Sequence, residues 1–256
     1  MAEKVIVYSV IFSNFDKACD VRQFLDEGIR FVLFTDDLEI EAPGWEVVIC
    51  EGIEDPILAN RKLKITPPKF VTKYPFSLYV DGNVSFESGF LPFVKKMSNV
   101  EADLAANPHP RFESVFLDIR EIVRKGVISA ADGLRDLVSL NRLGVTKKFP
   151  FYECNIIWRS SKPITLSFNQ LWWAHYVNGS GRDQSAFVKA LFQSKKTILP
   201  LNLGDIRSSI GKEFTVLRHK RDKPRLRRFV KVLWGGVRGD LFAFESYIWK
   251  ILSKKL

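Results

Sequence analysis

Three short runs in this chain are apolar on nearly every residue rather than on every second one: Lys4–Phe12 (KVIVYSVIF), Phe31–Phe34 (FVLF) and Phe76–Val80 (FSLYV). A strand with one face in water alternates, whereas a strand buried on both faces does not, and strands of the second kind belong to parallel sheets covered by helices. Between the runs, Asp16–Glu27 carries Ala18, Val21, Phe24 and Leu25 at helical spacing, a further strand is predicted over Trp45–Cys50 after the Pro43-Gly44 turn, and a helix over Ile57–Ile65. The fold class that follows is α/β with a mostly parallel central sheet. Ligands of such sheets sit beyond the carboxyl ends of the strands, which here read Thr35-Asp36-Asp37 and Asp81-Gly82-Asn83.

The second half predicts a strand over Ala102–Ala106, a helix near Ser129–Leu143, a strand over Phe151–Arg159, a buried helix over Leu166–Val177, a helix over Gln184–Phe192 and a last short strand over Thr197–Pro200. No repeat or interdomain linker stands out before residue 219, so residues 1–219 read as one domain and 220–256 as an extension. The charge divides the same way. Of a net +10, the 37 residues from Lys220 hold +8, with eleven Lys/Arg against three Asp/Glu, which leaves the body nearly neutral. Within the extension Leu226, Phe229, Val230, Leu233 and Trp234 form one apolar stripe beside Arg225, Arg227, Arg228 and Lys231, the pattern of a basic amphipathic helix suited to an anionic membrane surface. Docking on the protein's own body or on a partner subunit is the other use of such a segment.

Composition narrows the class further. With 46% hydrophobic and 27% charged residues the chain is neither disordered nor fibrous. Cys19, Cys50 and Cys154 are odd in number and far apart, so a disulfide framework is not expected and a cytoplasmic setting is. The opening MAEKVIVYSVIF reads as a buried strand rather than a signal segment. The first turn, Phe12-Ser13-Asn14-Phe15-Asp16, has no glycine, which argues against a dinucleotide-binding GxGxxG unit and a P-loop. There is no GxSxG and no HExxH. Nucleic-acid binding through the basic extension is disfavoured by the neutral body and the absence of a recognisable reader motif.

Asp81-Gly82-Asn83 is the sharpest local signal. Two oxygen-bearing side chains at i and i+2, at the end of a buried strand, can face one hard cation or a sugar ring, with the glycine letting the backbone pass close to the ligand. A plain turn has the same composition. Arg61 and Lys64 fall at i and i+3 on one helix face, as a phosphate-facing pair or as a solvated basic face. Asp183 precedes a helix and suits an N-cap, while Glu153 and Asn155 share one face of a strand.

Taken together, SLYVDGNVSF with the upstream LFTDD, PGWEVV and ANRKLKITPPKF and the downstream ECNIIWR and GRDQSAF resembles, in order and spacing, the glycosyltransferase-like family that plants use in cell-wall and mucilage polysaccharide synthesis and that bacteria also carry. The resemblance spans roughly residues 4–193. It departs at His109-Pro110, where this chain reads HPRFESVFLD and the family has HPxR followed by a cysteine and an acidic pair.

The resemblance implies a GT-A-like fold and transfer of a sugar from a nucleotide-diphosphate donor, a UDP-sugar, to a glycan or lipid-linked acceptor at the cytosolic membrane face. It makes Asp81, Gly82 and Asn83 the DxD-type donor element, with His219 completing a site for Mn2+ or Mg2+. It turns Arg61 and Lys64 toward the pyrophosphate, Phe12, Asn14 and Asp36 toward the nucleoside, and Asp183, Gln184, Glu153 and Asn155 toward the reacting sugars. Asn83, an amide where the element usually has a second carboxylate, also permits a non-catalytic nucleotide-sugar-binding protein.

Overall fold

The computed structural model describes residues 4–100, 102–208 and 210–220. The helical extension expected from Lys220 onward lies, from residue 221, outside the described residues. Among the described residues the chain divides into two compact units, the first holding the segments through Pro110, Tyr152–Trp173 and residues 196–220, the second Arg111–Phe151 and Ala174–Lys195.

The first unit is built on the sheet that the apolar runs predict. β1 (Val5–Ile11), β2 (Ile29–Thr35), β3 (Glu46–Ile49) and β4 (Phe76–Val80) are joined by β6 (Leu104–Pro108), β7 (Tyr152–Ser160) and β8 (Leu199–Pro200) in the order β3-β2-β1-β4-β7-β6-β8. The pairs β3–β2, β2–β1, β1–β4 and β6–β8 are parallel, while β7 runs antiparallel to both β4 and β6. From β1 the chain steps outward to β2 and β3, then returns to lay β4 on the other side of β1. The two neighbouring strands β1 and β4 therefore feed connections that leave in opposite directions, which opens a crevice at their carboxyl ends.

One sheet face is sealed by an aromatic cluster. Phe31, Trp45, Phe86, Phe90, Phe93 and Phe214 meet edge to face, with Phe86–Phe90 centroids at 4.6 Å and Phe93–Phe214 at 5.1 Å. Phe90 and Phe93 come from α2 (Phe90–Val100). Phe86 and Phe214 come from a small antiparallel sheet, β5 (Val84–Phe86) with β9 (Phe214–Val216), which the sequence pattern did not announce. The other face meets α1 (Pro56–Ile65), capped by Asp55, whose carboxylate accepts from Ile57 and Leu58 N–H with Pro56 opening the helix.

The helix expected over Asp16–Glu27 does not form; the segment is irregular with a single 3-10 turn, Arg22–Phe24. Its backbone is committed elsewhere. Val21 N–H donates to Pro43 O, Cys19 O accepts from the Trp45 indole, and the Asp20 carboxylate takes both the Arg22 N–H and its guanidinium. The apolar residues are buried by these tertiary ties, not by helical periodicity.

The second unit is helical: α3 (Val115–Arg124), α4 (Ala130–Leu143), the end of α5 (Pro163–Val177) and α6 (Asp183–Ser194). Val115, Ile119, Leu140, Phe151 and Val188 form its core. Beside them lies a buried ion pair, Lys189 Nζ to Asp136 Oδ1 at 2.5 Å, with Ser180 and Ser185 donating to the second carboxylate oxygen. The α6 N-cap is Arg182, with no side-chain cap bond, so Asp183 is the first helical residue instead of the expected cap. An acid at that position still complements the helix N-terminus.

Candidate functional site

Residues after β1, β2 and β4 converge at the crevice. Phe12 to Phe15 form a tight turn closed by Phe15 N–H to Phe12 O. Ser13 and Asn14 both have positive φ, 53° and 52°, which costs energy in residues with a side chain. Asp36, after β2, offsets that cost by accepting the Ser13 N–H at 2.7 Å. Phe12 itself is a buried core side chain. The exposed ring of this turn is Phe15, which lies 4.9 Å from the His219 ring and which the sequence reading passed over. Asn14 is engaged by Lys220, whose amine donates to its side-chain oxygen.

After β4, Asp81 N–H donates to Asn155 O of β7 at 2.8 Å, extending the sheet by one bond. The Asp81 Oδ1 accepts from Lys64 Nζ at 3.1 Å and from the Tyr79 hydroxyl at 2.8 Å. Lys64 thus belongs to a buried ion pair, with its side chain only 2% exposed against 28% for Asp81. Neither a solvated basic face nor a directly phosphate-facing lysine describes it. Burial pushes the Tyr79 hydroxyl well above its ordinary pKa, the Asp81 charge adds to this, and Tyr79 stays a neutral donor. The Arg61 charge acts in the opposite sense on Tyr79, while its guanidinium donates to the Asn60 side chain.

Gly82 is needed for a different reason from the one expected. A Cβ there would lie 2.6 Å from Ile11 Cγ1 and 3.2 Å from Asp16 Oδ2, so the glycine lets β1 and the Asp16 carboxylate approach. The Asn83 amide donates to Leu217 O and Leu217 N–H donates back to Asn83 O, both at 2.8 Å, which continues the β5–β9 pairing past Val84–Val216. That short sheet sets His219 near the first turn, where its Nδ1 meets Asp16 Oδ1 at 2.8 Å. Asp16, which opens the segment expected to be helical, is the partner of the histidine.

On the far side of Asp81, Glu153 and Asn155 share the β7 face that also carries Arg159. Arg159 is buried and donates to the Tyr8 hydroxyl and to Lys64 O, both at 2.8 Å, which ties α1 to the sheet. Glu153 Oε1 accepts from Arg207 Nε at 2.9 Å, while its Oε2 and both side-chain polar atoms of Asn155 are buried without a hydrogen-bond partner. Burial alone would lower the Arg207 pKa, yet the charges of Glu153, Asp81 and Asp205 hold it above its ordinary value. The loop bearing Arg207 is pinned by Asn107, whose amide donates to Gly204 O and accepts from Leu203 N–H. Arg207 and Asn107 were invisible in the sequence because their partners lie far along the chain and no motif surrounds them.

No protein-family model matches this chain, and no curated protein matches it.

The three groups expected to hold a divalent ion are each engaged with another protein group: Asp81 with Lys64 and Tyr79, Asn83 with Leu217, His219 with Asp16. Among the described residues no cluster of three or more His, Cys, Asp or Glu side chains is placed to bind a metal. As arranged, these residues do not fit the ion. Asp183 and Gln184 belong to the second unit, where both are buried and Asp183 Oδ1 accepts the Gln184 N–H. There Arg182 joins the Gln184 side chain to Asp118, 3.6 Å away. Among the described residues no helix is long and apolar enough to cross a membrane.

Proposed function

We propose that this chain is a glycosyltransferase that binds a nucleotide-diphosphate sugar, a UDP-sugar, at the β1/β4 crevice of a GT-A-like sheet. The observation that carries the reading is the meeting of the first turn and the Asp81-Gly82-Asn83 turn where the chain changes direction across the sheet, a position that suits a nucleotide. Asp36 and the exposed ring of Phe15 suit the nucleoside. Arg61 and Arg207 suit the diphosphate, since cations preplaced where charge accumulates on the leaving group lower the barrier to transfer.

Glu153 and Asn155 suit sugar hydroxyls. A carboxylate oxygen and an amide that lack protein partners gain hydrogen bonds only when a polyol or water reaches them. The resemblance assigns Asp183 and Gln184 to the transferred sugar. The acceptor, a glycan or lipid-linked saccharide, is placed at an anionic membrane surface by the charge of residues 220–256.

Calorimetric titration of UDP into the protein and into Arg207→Gln tests the reading. Saturable binding weakened at least tenfold by the substitution is expected, followed by turnover of a UDP-sugar that Glu153→Gln slows at least a hundredfold. Absence of binding by UDP and by the other nucleoside diphosphates removes the reading. Binding with no turnover of any donor reduces it to a nucleotide-sugar-binding protein.

A further inference from the structure

We propose that Lys64 is the resident counter-ion of Asp81 and takes the place of the divalent cation expected at Asp81-Gly82-Asn83, so that this site receives a nucleoside diphosphate without a metal. The identity of the ligand rests on the function proposed above; the counter-ion role rests on geometry alone.

A metal-binding carboxylate of the DxD kind has to offer an uncompensated charge. Asp81 does not, because its Oδ1 holds both the Lys64 ammonium at 3.1 Å and the Tyr79 hydroxyl at 2.8 Å. Nor is the ammonium able to swing aside. Its side chain is buried, the Nζ sits 5.1 Å from the Tyr79 ring centroid, and the Lys64 carbonyl accepts from Arg159 and from Tyr8, which fixes that turn of α1 on the sheet. The Asp81 charge also reaches Arg207 in the loop after β8. A divalent ion at the carboxylate would stand close to a buried ammonium in a poorly screened environment, where like charges repel strongly.

The remaining expected ligands point the same way. The Asn83 amide is used to pair the turn with Leu217, and the His219 Nδ1 is used on Asp16. Asp81 is then a positioning residue that fixes the Lys64 side chain behind the site, and the guanidiniums of Arg61 and Arg207 are the cations assigned to the phosphate oxygens. Arginine suits that task because its planar fork matches two oxygens at once.

The probes are Mn2+ alone, followed by electron paramagnetic resonance, and UDP, followed by calorimetry in EDTA and in Mn2+. Expected for the intact protein are no Mn2+ binding that Asp81→Asn removes, and UDP affinities within twofold of each other in the two buffers. Lys64→Gln, which bares the carboxylate, is expected to raise Mn2+ affinity at least tenfold, and adding Asp81→Asn to it reverses the gain. Micromolar Mn2+ binding by the intact protein that depends on Asp81, or a tenfold loss of UDP affinity in EDTA, overturns the proposal. If Lys64→Gln does not fold, the intact protein and Asp81→Asn still decide. Binding of neither UDP nor another nucleoside diphosphate in either buffer removes the glycosyltransferase reading, and the Mn2+ measurement then judges the counter-ion role by itself.

Discussion

At the scale of single residues, buried charges in this chain are held by named partners, and their pKa values show which are held at a cost. Burial pushes the Asp118 carboxyl up from 3.8, Arg182 pulls it down and the neighbouring Asp183 pushes it up again, with the net shift upward. A raised acid binds its proton more tightly in the folded chain than in the unfolded one, so stability falls as pH rises from 3.8 through the folded-state value. Asp118→Asn is therefore expected to be more stable than the parent at pH 7, with the advantage closing as pH drops toward 3.8, as read from urea melts across that range. An advantage that grows on acidification sinks this account. Glu121 behaves oppositely: the Arg124 hydrogen bond lowers it to about 2, and its contribution is present above 4.5 and lost as pH falls through 2. The sequence showed that Asp36, Asp81 and Asn83 stand at strand ends, because strand ends are local. It misjudged Lys64, since Lys62 and Lys64 look alike in ANRKLKI while only Lys64 is carried under the sheet by Arg159, ninety-five residues away.

Among elements, the continuous apolar runs made β1, β2 and β4 legible, since a strand buried on both faces has no polar residue to blur it. The helix expected over Ile57–Ile65 forms as α1, with the Asp55 cap and Pro56 adding its first turn. The β5–β9 pair was not. Its strands are three residues each and lie 128 residues apart from Phe86 to Phe214, and no periodicity survives at that length. Yet this pair joins the Asp81-Gly82-Asn83 turn to the core: Phe214 packs on Phe86, Phe90 and Phe93, and three residues beyond β9 His219 meets Asp16, next to the Asn83–Leu217 bonds. Phe214→Ala is expected to cost about 3–5 kcal/mol, the usual range for emptying a buried aromatic position. Because the missing ring holds β9, amide exchange at Leu217 and the ring signals of His219 are expected to change along with the thermal midpoint. A variant that loses stability with both signals intact shows that the small sheet does not position the turn.

Across the whole molecule, charge is distributed unevenly between the body and the C-terminal extension. Residues 1–219 carry +2 and residues 220–256 carry +8, so ending the chain at Lys220 removes most of the positive field and, on this reading, little of the nucleotide site. Near an anionic leaflet each basic residue contributes about 1 kcal/mol, and this attraction weakens as salt shortens the screening length. The full chain is therefore expected to sediment with vesicles containing about a third phosphatidylserine at 0.1 M salt and to be mostly released at 0.5 M, through screening of that attraction. The chain ending at Lys220 is expected to stay in the supernatant at both salts while still binding UDP with the affinity of the full chain. Vesicle binding that survives the truncation assigns the surface to the body of the protein. Loss of UDP binding in the truncated chain places residues of the extension in the nucleotide site and ends the separation of the two roles.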